Sequence, residues 1–134
     1  MTKYGIYEVT SGHPRYNTGQ YTIRGVPESY AVLGENYRLQ CNVTDSPSGV
    51  EFRRNNVAVC NMINCESSST DNRYKCGCIN DNNKTLYLNI SNINKQDDTT
   101  WSCRGNSGGQ GSATVPVYCK FDLSPNYLLP YFFN

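Results

Sequence analysis

Apolar and polar positions alternate along Leu39-Gln40-Cys41-Asn42-Val43, so Leu39, Cys41 and Val43 share one side of an extended strand while Gln40 and Asn42 share the other. Leu86, Leu88 and Ile90 repeat this period of two, and Ile93 follows just before Asp97. Val50-Glu51-Phe52-Arg53-Arg54, Val57-Ala58-Val59-Cys60 and Ala113 to Tyr118 supply further strands, with a turn at Asn55-Asn56 and a loop at Asp45 to Gly49. Arg73 to Ile90 reads as a hairpin with Asp81-Asn82-Asn83 at its tip. No long stretch has the spacing of an amphipathic helix. The pattern predicts an all-β protein, a two-sheet antiparallel sandwich with one inward face per strand.

This pattern divides the chain into three parts. Residues 1–26 precede the sandwich as an N-terminal arm or added hairpin, in which Tyr4 to Val9 pairs with Gln20 to Arg24 around the turn-rich Ser11 to Thr18. The sandwich occupies residues 27–121, opening near Pro27, running through Tyr30-Ala31-Val32-Leu33 and turning at Gly34-Glu35. Residues 122–134 form an apolar tail or linker. Its run Tyr127-Leu128-Leu129-Pro130-Tyr131-Phe132-Phe133 is too apolar to stay in water without packing on the domain, a partner or a neighbouring domain.

A chain of 134 residues has room for one such domain. Twelve Lys and Arg against eleven Asp and Glu leave a net charge of +1 with no basic stripe, which argues against a nucleic-acid partner. No apolar run is long enough to cross a bilayer. Met1-Thr2-Lys3-Tyr4 is not followed by a signal-peptide core, so a mature or excised form is expected.

Seven cysteines in so small a domain point to an oxidising compartment. Three acceptor sequons, Asn42-Val43-Thr44, Asn83-Lys84-Thr85 and Asn89-Ile90-Ser91, point the same way. Alternation turns Asn42 and Asn89 outward, where a glycan has room. Asn42, Asn83 and Asn89 are therefore the candidate glycosylation sites, and the expected location is secreted or on the extracellular face of the plasma membrane.

The run Asp97-Asp98-Thr99-Thr100-Trp101-Ser102-Cys103, with an acidic residue four places before an aromatic and a cysteine two places after it, resembles one strand and corner of the immunoglobulin fold, variable or intermediate type. Gly34, Leu39, Cys41, Leu86, Leu88, Ile90 and Arg73 fall at related positions in the same order. The resemblance implies an immunoglobulin-like sandwich with a buried Cys41–Cys103 bridge between sheets, and a structural surface pair between Arg73 and Asp97. Phe52 stands where the family has a core tryptophan, and Trp101 where it has a corner tyrosine. Cys60, Cys65, Cys76, Cys78 and Cys119 are then left as extra cysteines, for which several pairings remain open. The favoured arrangement joins Cys60 and Cys65 to Cys76 and Cys78 and leaves Cys119 unpaired or intermolecular, which allows a homodimer.

Other chemistry finds little support. Cys60-x4-Cys65 followed by Cys76-x-Cys78 departs from the paired C-x2-C knuckles of zinc sites, so no metal or other cofactor is expected. His13, the only histidine, lies beside Pro14 in a turn-like stretch, and neighbouring Asp97 and Asp98 point apart, so no catalytic residues and no enzyme activity are expected. The remaining reading is a recognition or adhesion domain that binds a protein or glycan partner, such as a cell-surface receptor, with a structural spacer of a larger ectodomain as the alternative. Outward Asn42 and Asn89 shield one sheet, which leaves Glu51, Arg53, Arg104, Asn106 and Gln110, on the other sheet and in the glycine-rich hairpin after Cys103, as binding candidates.

Overall fold

The alternating segments become strands that close into two facing sheets. A computed structural model of the chain describes residues 20–120 and 128–130. In chain order the strands are β1 (Tyr21–Val26), β2 (Ala31–Val32), β3 (Tyr37–Val43), β4 (Gly49–Arg54), β5 (Val57–Ile63), β6 (Glu66–Ser69), β7 (Tyr74–Ile79), β8 (Asn82–Ile90), β9 (Thr99–Gly105), β10 (Gln110–Val115), β11 (Val117–Lys120) and β12 (Leu128–Pro130). One sheet has the order β1-β3-β8-β7 and the other β10-β9-β4-β5-β6. Pairing in both is antiparallel, whereas β2 runs parallel to β11 in a small third sheet that β12 completes.

Period-two burial explains why the layers close. Leu39, Cys41, Leu86, Leu88 and Ile90 from one sheet meet Phe52, Trp101 and Cys103 from the other, and none is more than 1% exposed. Burying a side chain of this size stabilises the fold by roughly 1.5–3 kcal/mol. Cys41 and Cys103 are bonded through the middle of this core. Cys60–Cys76 and Cys65–Cys78 join β5 and its following turn to β7, so the two sheets are also fastened along one side. Cys119 is free.

Three two-residue turns rely on left-handed backbone. Asn55 and Asn56, Asn64 and Cys65, and Asn80 and Asp81 all have φ between 49° and 68°. Asn and Asp tolerate this region better than other residues with a Cβ, and consecutive positive φ values match the twist of a tight hairpin. Cys65 is the exception in residue type, and it is held at the turn by its bond to Cys78.

Several elements depart from the sequence reading. The sheet already includes residues before Pro27, since Tyr21 to Val26 pairs with Val43 to Arg38; the expected partner segment Tyr4 to Val9 lies outside the described residues. Tyr21 and Ile23 are buried, and that alternation continues the core face of β3. The hairpin tip lies at Asn80-Asp81, ahead of the expected Asp81-Asn82-Asn83. β6 had no apolar signature to find, because all four residues of Glu66-Ser67-Ser68-Ser69 are exposed on a sheet edge. Pro116 divides the last expected strand into β10 and β11. Of the tail, Leu128–Pro130 pairs antiparallel with Tyr118 to Lys120.

The corner before β9 is more deeply built than the expected surface pair. One 3-10 turn spans Lys95–Asp97, where Asn94 Oδ1 accepts from the Gln96 N–H at 3.0 Å and Asp97 Oδ2 accepts from the Asn94 N–H at 2.9 Å. The Asp97 side chain is 1% exposed, and its carboxylate pairs with Arg73 and also with Arg54 Nη1 at 3.2 Å. Trp101 Nε1 donates to the Asp97 carbonyl at 3.0 Å, so the indole takes up the corner bond within the core.

A pH dependence follows from another buried ring. Tyr37 is 9% exposed and its hydroxyl donates to the Glu28 carbonyl at 2.7 Å. Burial, with the Glu28 carboxylate adding to it, pushes the Tyr37 phenol up to about 12. Unfolded tyrosine ionises near pH 10, so above that value the unfolded chain releases this proton first. Stability that is complete below pH 10 is therefore expected to fall as pH rises toward about 12. Burial shifts Tyr21 and Tyr74 in the same direction. Denaturant midpoints measured upward from pH 9 check this, and Tyr37→Phe is expected to flatten the slope.

Candidate recognition surface

Inward Val50, Phe52, Trp101 and Cys103 leave Glu51, Arg53 and Arg104 on the outer face of the five-stranded sheet. Register carries that face across four strands: Gln110 lies opposite Arg104, Arg104 opposite Glu51, and Glu51 opposite Asn61. Neighbouring strands are about 4.8 Å apart, so these four side chains form one continuous row. Arg53 Nε sits 3.2 Å from Glu51 Oε1, an ion-pair distance without hydrogen-bond alignment, while its Nη2 donates to the Asn56 carbonyl at 2.8 Å. Arg104 and Gln110 are exposed.

The end of this row meets two loops that brace each other. Asp45, in the loop after β3, accepts from Tyr21 OH at 3.2 Å through one oxygen and from Ser107 Oγ at 3.1 Å through the other. Asn106 Nδ2 donates to Ser48 Oγ at 2.7 Å and its backbone N–H to the Gly49 carbonyl at 2.9 Å. The loops between β3 and β4 and between β9 and β10 are thus one joined surface. Asn106, singled out as a binding candidate, spends both of these donors on bracing it. Gly105 permits the arrangement: a Cβ there would fall 1.8 Å from Tyr21 OH. Close approach of Tyr21, rather than a flexible turn or a phosphate cradle, accounts for this glycine.

Beside the joined loops lies a depression of about 380 Å³, lined among others by Glu51, Asn61, Ile63, Arg104 and Asn106. Ile63 is 65% exposed. It lies opposite Gly49, on the same face as Glu51 and Asn61. Sequence reasoning passed over Ile63 and Asn61, because the expected strand stopped at Cys60. The adjacent pair Met62-Ile63 was the available signal, since one of two successive strand residues must face outward.

The comparisons with known proteins extend this picture at the level of fold. No protein-family model and no curated protein matches the sequence. Among solved structures the chain is similar to a marsupial T cell receptor, with a TM-score of 0.61 and 11% identity over 78% of this chain. The fold is immunoglobulin-like. The matched region spans 37% of that receptor chain, so its length covers well under half of the similar protein.

Other expected sites fall as follows in this immunoglobulin-like domain. Cys60, Cys65, Cys76 and Cys78, the four thiols a zinc site would need, are bonded in pairs. Among the described residues no group of three or more His, Cys, Asp or Glu side chains could hold a metal ion, and no helix is long and apolar enough to cross a membrane. His13 lies outside the described residues. Asn42 and Asn89 occupy outward positions of β3 and β8, on the face opposite the row described above, and Asn83 lies near the start of β8. Cys119, in β11 opposite Leu129, is partly buried.

Proposed function

We propose that this chain is an extracellular recognition domain that binds a protein or glycan partner, without catalysis, through the outer face of its five-stranded sheet and the two joined loops. The observation that carries the reading is the row Gln110–Arg104–Glu51–Asn61 running into a depression with exposed Ile63 at its edge. Such a patch combines an apolar contact with donors and acceptors of both charges, held on strands and therefore preorganised. Three disulfides support an oxidising, secretory-pathway location. Sequons on the opposite sheet support the same location and leave this face uncovered.

The test is binding of the labelled domain to a panel of cells. Arg104→Glu and Ile63→Asp are each expected to weaken saturable binding by tenfold or more, while Lys75→Glu on the opposite sheet leaves it unchanged. Loss with Lys75→Glu but not with the other two would move the site to the wrong sheet for this proposal. A domain that binds no cell type in the panel would favour the spacer reading, in which the sandwich only positions its neighbours. Binding that persists at saturation with a covalent dimer linked through Cys119, and is lost with Cys119→Ser, would assign the partner contact to a homodimer.

A further inference from the structure

On the sheet opposite the recognition surface, cross-strand register places Val26, Arg38, Asn89 and Lys75 side by side on the outer face. Asn89 is the acceptor of the Asn89-Ile90-Ser91 sequon. Its Oδ1 accepts from Arg38 Nε at 2.8 Å. An arginine Nε can only donate, so this bond assigns the carboxamide and leaves Nδ2 as the outward atom. Arg38 is itself held: its guanidinium carbon lies 4.4 Å from the centroid of the Tyr87 ring. Tyr87 in turn lies across Gly77, where a Cβ would meet its hydroxyl at 2.9 Å. A chain of three contacts therefore orients one asparagine amide on a strand that otherwise displays ordinary polar residues.

The oriented amide borders a groove of about 630 Å³, within the range of about 300–1,000 Å³ that ligand sites occupy. Pro27, Tyr30 and Val32 supply apolar surface, Lys75 a donor, and Glu28 an acceptor. Tyr30 is held edge-on against Tyr118 with ring centroids 5.6 Å apart. Apolar faces beside charged donors and acceptors suit a pyranose ring, whose C–H faces are apolar and whose edges carry hydroxyl and amide groups.

We propose that this groove is an intramolecular cradle for the first sugars, N-acetylhexosamines, of a glycan attached to Asn89. The proposal rests on the secretory-pathway reading above. Attachment joins the anomeric carbon of the sugar to Nδ2, and the displaced hydrogen leaves with the lipid-linked diphosphate that donated the sugar. Oδ1 remains free to accept from Arg38, so the same contact aims the glycan after attachment. The groove and its occupant are then covalently matched, and the sugar covers apolar surface that would otherwise stay in water.

The full chain, secreted from a glycosylating eukaryotic host, tests this. Peptide N-glycosidase treatment in heavy-oxygen water, followed by peptide mapping, reads release at Asn89 in the folded protein and in the reduced, denatured chain. Release from the folded protein is expected to be at least tenfold slower than from the denatured chain. Tyr30→Ala and Lys75→Ala are each expected to remove most of that delay. Lys75 is exposed, so its variant preserves the fold and keeps the test decisive even where Tyr30→Ala destabilises the domain. Asn89 found unmodified overturns the glycan and the cradle together. A glycan present at Asn89 but released at the same rate in both states, or a delay unaffected by Lys75→Ala, overturns the cradle alone and leaves glycosylation standing.

Discussion

Replacing Cys41 and Cys103 together by alanine is expected to lower the free energy of unfolding by about 4 kcal/mol. The bond closes a loop of 62 residues, and that loop entropy is restored to the unfolded chain when the link is removed. Cys60–Cys76 lies inside this loop and shortens the effective path. Because the dependence is logarithmic, the shortcut changes the estimate by only a few tenths of a kcal/mol. Both sulfurs are in the core, so the loss adds a small void to the entropy term. The smaller loops of 16 and 13 residues are expected to contribute about 3 kcal/mol each by the same relation. Equilibrium denaturation of the variant against the parent chain measures the difference. A loss below about 2 kcal/mol would show that the paired sheets hold without this central link.

The second large effect is expected at the corner. Asp97→Ala should destabilise the domain by about 3 kcal/mol, the lower end of the range for breaking a buried ion pair. The carboxylate is buried, yet the Arg54 and Arg73 side chains keep 31% and 21% of their surface, so water compensates part of their charge. Asp97 also satisfies the Asn94 N–H, which alanine leaves without its acceptor. A surface pair between Arg73 and Asp97 would give 0–1 kcal/mol. Denaturation of Asp97→Ala, Arg73→Ala and the double variant separates the two outcomes: coupling above about 1.5 kcal/mol identifies the buried network, and coupling near zero refutes it.

The corner also shows where pattern reading reaches its limit. Asp97, Trp101 and Cys103 stand at a spacing that local reading can recognise. Arg54 stands 43 positions from Asp97 in the chain. It reaches the carboxylate because β4 pairs with β9, which sets Arg54 opposite Trp101. Alternation from Val50 and Phe52 puts Arg54 on the inward side and Arg53 on the outer side, where it meets Glu51, but nothing local names Asp97 as the partner of Arg54. Asp45 behaves in the same way. As a loop residue before Ser46-Pro47 it reads as a turn former, yet it grips Tyr21 and Ser107 and so joins three segments.

The proposed recognition surface divides along the same line. Glu51 and Arg53 were accessible to reasoning because each alternates with an inward neighbour, and Arg104 and Gln110 because they lie in the hairpin after Cys103. Their alignment with Asn61 depends on the register of three strand pairs, and Ile63 entered only because β5 runs to the end of its hairpin. β6 escaped for a related reason: a strand exposed on both faces has no apolar alternation to betray it.

Period-two burial therefore specified a two-layer β architecture from residue order alone, since a strand with one apolar face must find a second layer to cover it. Composition likewise supplied the cysteines for three disulfides. Pairing in space did the rest: which cysteine meets which, which arginines share Asp97, and which outward side chains stand in one row. Those outcomes depend on contacts between residues tens of positions apart, where register and sheet order, not neighbouring residues, select the partner.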